Sequence, residues 1–223
     1  MKWLNKIERK FGNCAIHNLI LLLTVSMACV AFMDFLATYS QSIVNISTYL
    51  YFDRDLILQG QIWRLISFIF MPPNTSIFFV IFALYMFYIF GKSLEDEWGS
   101  FKLNIYFLIG IIGAIIGGFI TGSTTNLYLN LSIFLAFAVI NPNYEILVFF
   151  FLPVKVKYLA YIDAGFFVLS LILFPFDYKI ACVLSIVNFL IFFGPDFIKK
   201  QKNKKSYRSV QKNFKKEMKK YKS

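Results

Sequence analysis

Histidine is nearly absent from this chain: among 223 residues there is one, His17. That scarcity removes at a stroke the commonest general base and the commonest metal ligand. Cysteine is sparse as well. Cys14, Cys29 and Cys182 are odd in number and show no CxxC spacing, so neither a disulfide framework nor a thiolate metal site is indicated, and no metal or cofactor is expected. Their plain reading is as small buried apolar side chains. Charge is thin too, with 16% of residues charged against 58% hydrophobic and 20% aromatic, and a mean hydropathy of +0.63. A soluble domain of this length could not cover its surface with so few polar groups, so the composition describes an integral membrane protein.

The net charge of +11 sits in one place. From Lys199 onward the chain carries 12 of its 23 Lys and Arg residues and a single acid, Glu217, which leaves the remainder neutral. Nucleic acid is therefore not indicated, because the basic signal belongs to a tail and not to a folded surface. Within that tail Tyr207, Val210, Phe214, Met218 and Tyr221 recur at helical intervals among lysines. A basic amphipathic helix is expected there, with Lys199, Lys200, Lys204, Lys205 and Arg208 held on anionic inner-leaflet lipid.

Hydrophobic runs divide the rest. Residues 1–15 set Trp3, Ile7 and Phe11 against Lys2, Lys6, Arg9 and Lys10, the pattern of a short helix lying on the membrane surface. Residues 16–195 form the membrane domain and 196–223 the tail. Spans are expected at 16–35, 74–90, 103–120, 127–140, 157–174 and 179–193, which makes an all-α bundle of six transmembrane helices. Pro72 and Pro73 stop any helix running into the second span, and residues 36–62 are too polar to cross and too aromatic for a solvated loop, so they are expected half sunk in one leaflet. Gly110, Gly113 and Gly117 give the third span a face that another helix can approach closely. The run Ile146 to Leu152 is too short to cross. With both termini inside, Lys92, Lys102, Lys155 and Lys157 fall on inner loops, and only Arg54, Arg64 and Lys179 on outer ones, which satisfies the positive-inside rule.

Two local patterns flank the second span. Trp63-Arg64 precedes it, and Gly91, Glu95 and Gly99 close it as G-x-x-x-E-x-x-x-G. In that order and spacing they resemble the rhomboid superfamily, over about residues 16 to 195. The resemblance implies a six-helix rhomboid-like bundle, and in active members a serine nucleophile opening the fourth span, a histidine base on the sixth, and an oxyanion-binding H-x-x-x-N pair on the second. Here that pair falls on Phe79 and Ala83, the sixth span offers no base, and His17 lies at the far end of the first span as a plain interfacial residue. Ser132, in Asn130-Leu131-Ser132-Ile133, is the nucleophile only if an atypical intramembrane serine protease is assumed. Asp163 and Asp34 lie roughly 15–20 Å apart in depth at the helical rise, too far to share a proton.

Gln61-Ile62-Trp63-Arg64, Leu94-Glu95 and Asn141-Pro142 resemble the inactive derlins and derlin-like bacterial proteins. That resemblance implies a pseudoprotease, set in a bacterial cell membrane, that binds transmembrane client proteins in quality control or trafficking. Short spans that thin the bilayer would serve such a role. A membrane insertase using its basic tail is the other alternative. Asp163 stands apart, since a carboxylate within a span marks a functional position, its plain alternative being a hydrogen bond to a Tyr or amide on a neighbouring helix.

Overall fold

The computed structural model describes residues 2–40, 45–73, 76–148, 152–173, 179–180, 182–184 and 186–194. Helix α1 (Lys2–Phe11) ends with Arg9 and Lys10 in its last turn, where cations oppose the negative helix terminus. A single 3-10 turn leads to α2 (Leu19–Tyr39), which runs four residues beyond the expected end at Phe35. Between residue 45 and residue 73 no helix is long enough to cross. The chain forms short pieces: α3 (Ser47–Leu50), β1 (Phe52–Asp53), α4 (Arg54–Leu58) and α5 (Arg64–Ser67). Asp53 caps α4 by accepting from the backbone N–H groups of Asp55 and Leu56 at 2.9 and 3.0 Å.

Helix α6 (Ile77–Trp98) starts after the Pro72-Pro73 break and continues past Phe90 through the whole acidic segment. It stops only at Gly99, whose φ of +83° suits glycine alone, and α7 (Ser100–Thr121) begins at once. Strand β2 (Ser123–Thr124) pairs antiparallel with β1. Helix α8 (Leu127–Ile140) has the expected bounds. The described residues of the apolar run that follows are not helical. They fold as a hairpin of β3 (Glu145–Val148) and β4 (Leu152–Lys155), in register Glu145↔Lys155 to Val148↔Leu152. A segment too short to cross still has to satisfy its backbone, and a hairpin does so within a few residues. The two small sheets correct the all-α expectation. Helix α9 (Val156–Leu173) follows directly, and Cys182–Gly194 forms a further apolar helix, α10.

Among the described residues four helices, α2, α6, α7 and α9, are long and apolar enough to cross a membrane, while α8 and α10 are apolar but shorter. The chain is thus a mostly helical integral membrane protein. Its large apolar side chains point outward along these helices, as with Leu22 and Phe32 on α2 and Ile172 on α9, all more than half exposed. Such a surface is stable in lipid and not in water. The core lies between α2, α6, α7, α8 and α10, built from Leu94, Leu103, Phe107, Ile133, Phe137 and Phe192. Trp98 stacks on Phe192, with ring centroids 5.9 Å apart. Cys182 is buried, but Cys14 and Cys29 are exposed, against their expected burial. The tail cations Lys199, Lys200, Lys204, Lys205 and Arg208 lie outside the described residues.

Glycines set the closest approaches. A Cβ on Gly91 would lie 2.4 to 2.8 Å from three carbons of Ile20, so α2 meets α6 backbone to side chain there. On α7, a Cβ on Gly118 would meet the Phe52 ring at 2.5 Å, one on Gly117 would meet Leu184 Cδ1 at 3.0 Å, and one on Gly110 would meet Leu129 Cδ1 at 2.4 Å. Gly113 is looser, at 3.6 Å from Leu184 Cβ, and Gly165 has nothing near it. Gly91→Ala should therefore lower stability by about 1–3 kcal/mol through overpacking. Gly165→Ala, on an open helix face, should raise it by about 0.5–1 kcal/mol. Thermal unfolding of the detergent-purified variants reads both signs.

Candidate functional site

Four polar constellations interrupt the apolar bundle. At one end, Glu95 is 5% exposed and its Oε1 accepts from the Asn18 backbone N–H at 2.9 Å and from the Ser100 hydroxyl at 2.8 Å. Asn18 precedes α2 in the left-handed region at φ 55°, so the carboxylate faces the positive end of that helix. Its other oxygen lies 3.8 Å from Lys92 Nζ, and Asn104 Nδ2 donates to the Ile16 carbonyl at 3.1 Å. Gly91, Glu95 and Gly99 thus act together: one admits Ile20, one holds the chain entering α2, and one turns α6 into α7. Lys102 adds α1 through Glu8, at 3.4 Å.

At the other end Arg64 is 3% exposed. Its Nη1 donates to the carbonyls of Thr48 and Tyr51 at 3.1 and 2.9 Å, its Nε donates to Gln61 Oε1 at 2.7 Å, and its guanidinium lies 4.6 Å from the centre of the Tyr51 ring. Five N–H groups in a rigid fork suit a loop that presents several carbonyls. Neighbouring donors finish the work: Trp63 Nε1 to the Tyr49 carbonyl at 3.1 Å and the Ser67 hydroxyl to the Leu50 carbonyl at 2.8 Å. Asp34, near the end of α2, accepts from both the backbone N–H and the hydroxyl of Ser47. Asn126 donates to the carbonyls of Ile69 and Met71 at 3.1 and 2.9 Å.

Ser132 sits inside the bundle, 1% exposed. The Tyr106 hydroxyl donates to the Ser132 carbonyl at 3.0 Å and is hydrogen-bonded to the Ser132 hydroxyl as well. Between the two hydroxyls either oxygen can be the donor. Asn188 of α10 donates to the Tyr106 carbonyl at 3.3 Å and occupies the helix-packing groove beside Gly110. His17 is exposed before α2, at the Glu95 end. Phe79 is exposed on α6, and Ala83 carries no polar group.

Asp163 is the exception to all of this. It is 7% exposed, and among the described residues neither of its oxygens has a hydrogen-bond partner, which corrects the expected bond to a Tyr or amide. It lines a cleft of about 550 Å³ between α6 and α9, floored by α8, on which both of those helices pack. Phe82 and Met86 of α6, Leu131 and Phe134 of α8, and Ile162 and Phe166 of α9 form its walls. Ile146 of β3 closes one side, and Asp163 is the one acidic or basic residue among the described residues that line it. Among the described residues no group of three or more His, Cys, Asp or Glu side chains could hold a metal ion.

Sequence reading did not find the Tyr106–Ser132–Asn188 contact, because Tyr106 and Asn188 look like ordinary span residues until the helices are packed. Asn126 was equally silent. Of the singled-out residues, the structure joins Gly91, Glu95 and Gly99 at one end and Trp63 and Arg64 at the other, and it leaves Asp163 apart from both. Glu95→Ala would strand the Asn18 N–H and the Ser100 hydroxyl, at a cost of about 1–3 kcal/mol, whereas Glu95→Gln keeps an acceptor oxygen and should lose less. Chemical denaturation of both variants in the same detergent tests that order.

No curated protein matches the chain. A family model described as eukaryotic integral membrane protein matches residues 19–215, and that description does not support the expected bacterial membrane. Since the match runs from the first residue of α2 to beyond α10, the chain belongs to the eukaryotic integral membrane protein family DUF1751.

Proposed function

We propose that the chain is a non-catalytic, rhomboid-like protein of six spans that binds other transmembrane segments, in membrane-protein quality control or trafficking. The carrying observation is Ser132. A nucleophilic serine must reach a substrate carbonyl and hand its proton to a base. Ser132 is 1% exposed and engaged by a neutral phenol, which is a poor base. The one imidazole, His17, lies just before α2 at the Glu95 end, and Phe79 and Ala83 provide no side-chain donor for an oxyanion.

What supports a binding role is that both ends of the scaffold are tied by buried hydrogen bonds, at Glu95 and Arg64, while a lipid-facing cleft stays open between α6 and α9. Lys92, Lys102, Lys155 and Lys157 gather at the Glu95 end and in the segment joining β4 to α9, which favours a cytoplasmic placement of that end and of both termini. The basic tail then meets the anionic cytoplasmic leaflet.

Photocrosslinking in native membranes should capture membrane-protein clients, and a chain recovered alone under every condition would sink the binding role. In proteoliposomes the purified protein should leave a transmembrane substrate uncut, with Ser132→Ala indistinguishable from the wild type. Cleavage that stops in Ser132→Ala would overturn the non-catalytic reading.

A further inference from the structure

A carboxylate buried in hydrocarbon without a partner is costly, and the other buried charged side chains of this bundle, Arg64 and Glu95, are both hydrogen-bonded. Glu95, Arg64, Asp34, Asn126 and Ser132 all have hydrogen-bond partners in the chain. Asp163 has none among the described residues, although it is only 7% exposed. A structural carboxylate would have been tied to α8, on which α9 packs, but the α8 residues that line the cleft are Leu127, Leu131 and Phe134, which offer no donor side chain. Asp163 borders the cleft with both oxygens covered by its walls, so a donor meets the carboxylate by displacing wall side chains and not by crossing the core.

The cleft fixes what can meet that carboxylate. Its walls are aromatic and aliphatic, and it opens on the lipid-facing side of the molecule, where Ile162 beside Asp163 is 70% exposed. Only something already in the bilayer reaches it, and an apolar helix surface fits such walls. Asp163 lies seven residues after Val156, about 10 Å along the helix from its start, below the reach of bulk water. At that depth a negative acceptor pair is complementary to a donor that arrives charged or strongly polarised, and a lysine or arginine in a span has the same need for a counter-group.

We propose that the α6–α9 cleft receives a partner transmembrane helix carrying a basic side chain at the depth of Asp163, and that the Asp163 carboxylate is the group that selects it. This rests on the transmembrane-segment-binding reading and adds the chemistry of the segment. The walls supply contact with any apolar helix; the carboxylate discriminates. A helix without a basic residue leaves Asp163 buried and unpaired, which is the penalty that makes the discrimination.

The test uses the full chain, carrying p-benzoylphenylalanine in place of Ile162, reconstituted with synthetic transmembrane peptides in phosphatidylcholine vesicles. One peptide is a leucine-alanine helix, a second carries one lysine about 10 Å inside its end, and a third carries that lysine at the interface. Photocapture of the second peptide should exceed that of the other two by at least about tenfold, the ratio expected for one added charge-assisted contact. Asp163→Asn, which keeps the shape, should bring all three to the same level. Equal capture of the three peptides by the wild type would overturn the inference while leaving client binding to be judged by its own crosslinking in native membranes. Capture of no peptide, or of only a second copy of this chain, would overturn it as well. The comparison among peptides is made on the unsubstituted Asp163 protein, so it does not depend on whether Asp163→Asn folds.

Discussion

Glu95 accepts from two separate stretches of chain at once: the backbone just before α2 and the hydroxyl that opens α7. Because it projects from α6, one carboxylate sets the relative height of three helices. In lipid, lateral packing leaves apolar helices free to slide past one another, since every depth offers the same hydrocarbon. A directional bond from a charged acceptor to a backbone N–H removes that freedom. Gly91 one turn earlier lets Ile20 seat against the helix axis, and Gly99 one turn later reverses the chain. The spacing of four between these residues is thus the spacing of successive turns along one helix face.

Arg64 solves a different difficulty at the opposite end. The segment from residue 45 to residue 67 is neither a span nor a regular sheet, so its carbonyls would be left bare against the membrane. A guanidinium placed among them answers two at once, and Trp63 and Ser67 take the next two. Phe52, buried against Phe68 and Phe119, then anchors the segment to α7 at Gly118. Against this economy the carboxylate on α9 stands out as the buried acidic group with neither oxygen paired among the described residues.

The bounds of α7, α8 and α9 could be read closely from hydropathy, because Gly122, Asn141-Pro142, and Lys155 and Lys157 around the start of α9 interrupt the apolar runs sharply. The end of α6 could not. Lys92, Glu95, Asp96 and Glu97 look like a loop by composition, yet Lys92 pairs with Asp96 one turn on and Glu95 faces inward, so the helix continues through them. The β3–β4 hairpin was hidden for the opposite reason: a continuous apolar run carries no period by which strand and helix can be told apart. Of the site, Trp63, Arg64 and Glu95 were legible from their spacing and Asp163 from its isolation. Tyr106, Asn126 and Asn188 were not, since each acts through a partner more than 25 positions away and nothing local distinguishes it.

The hairpin has a kinetic consequence. Its ladder of four residue pairs is continued into α9 by the Val156 N–H donating to the Tyr144 carbonyl at 2.9 Å, so the distance from the end of α8 to the start of α9 is fixed by main-chain bonds. The gap between α6 and α9 is framed before anything enters it. The binding of a transmembrane helix proposed for that gap then needs no rearrangement of the backbone; its rate would follow two-dimensional diffusion in the bilayer, and the dwell time would record how well the helix fits.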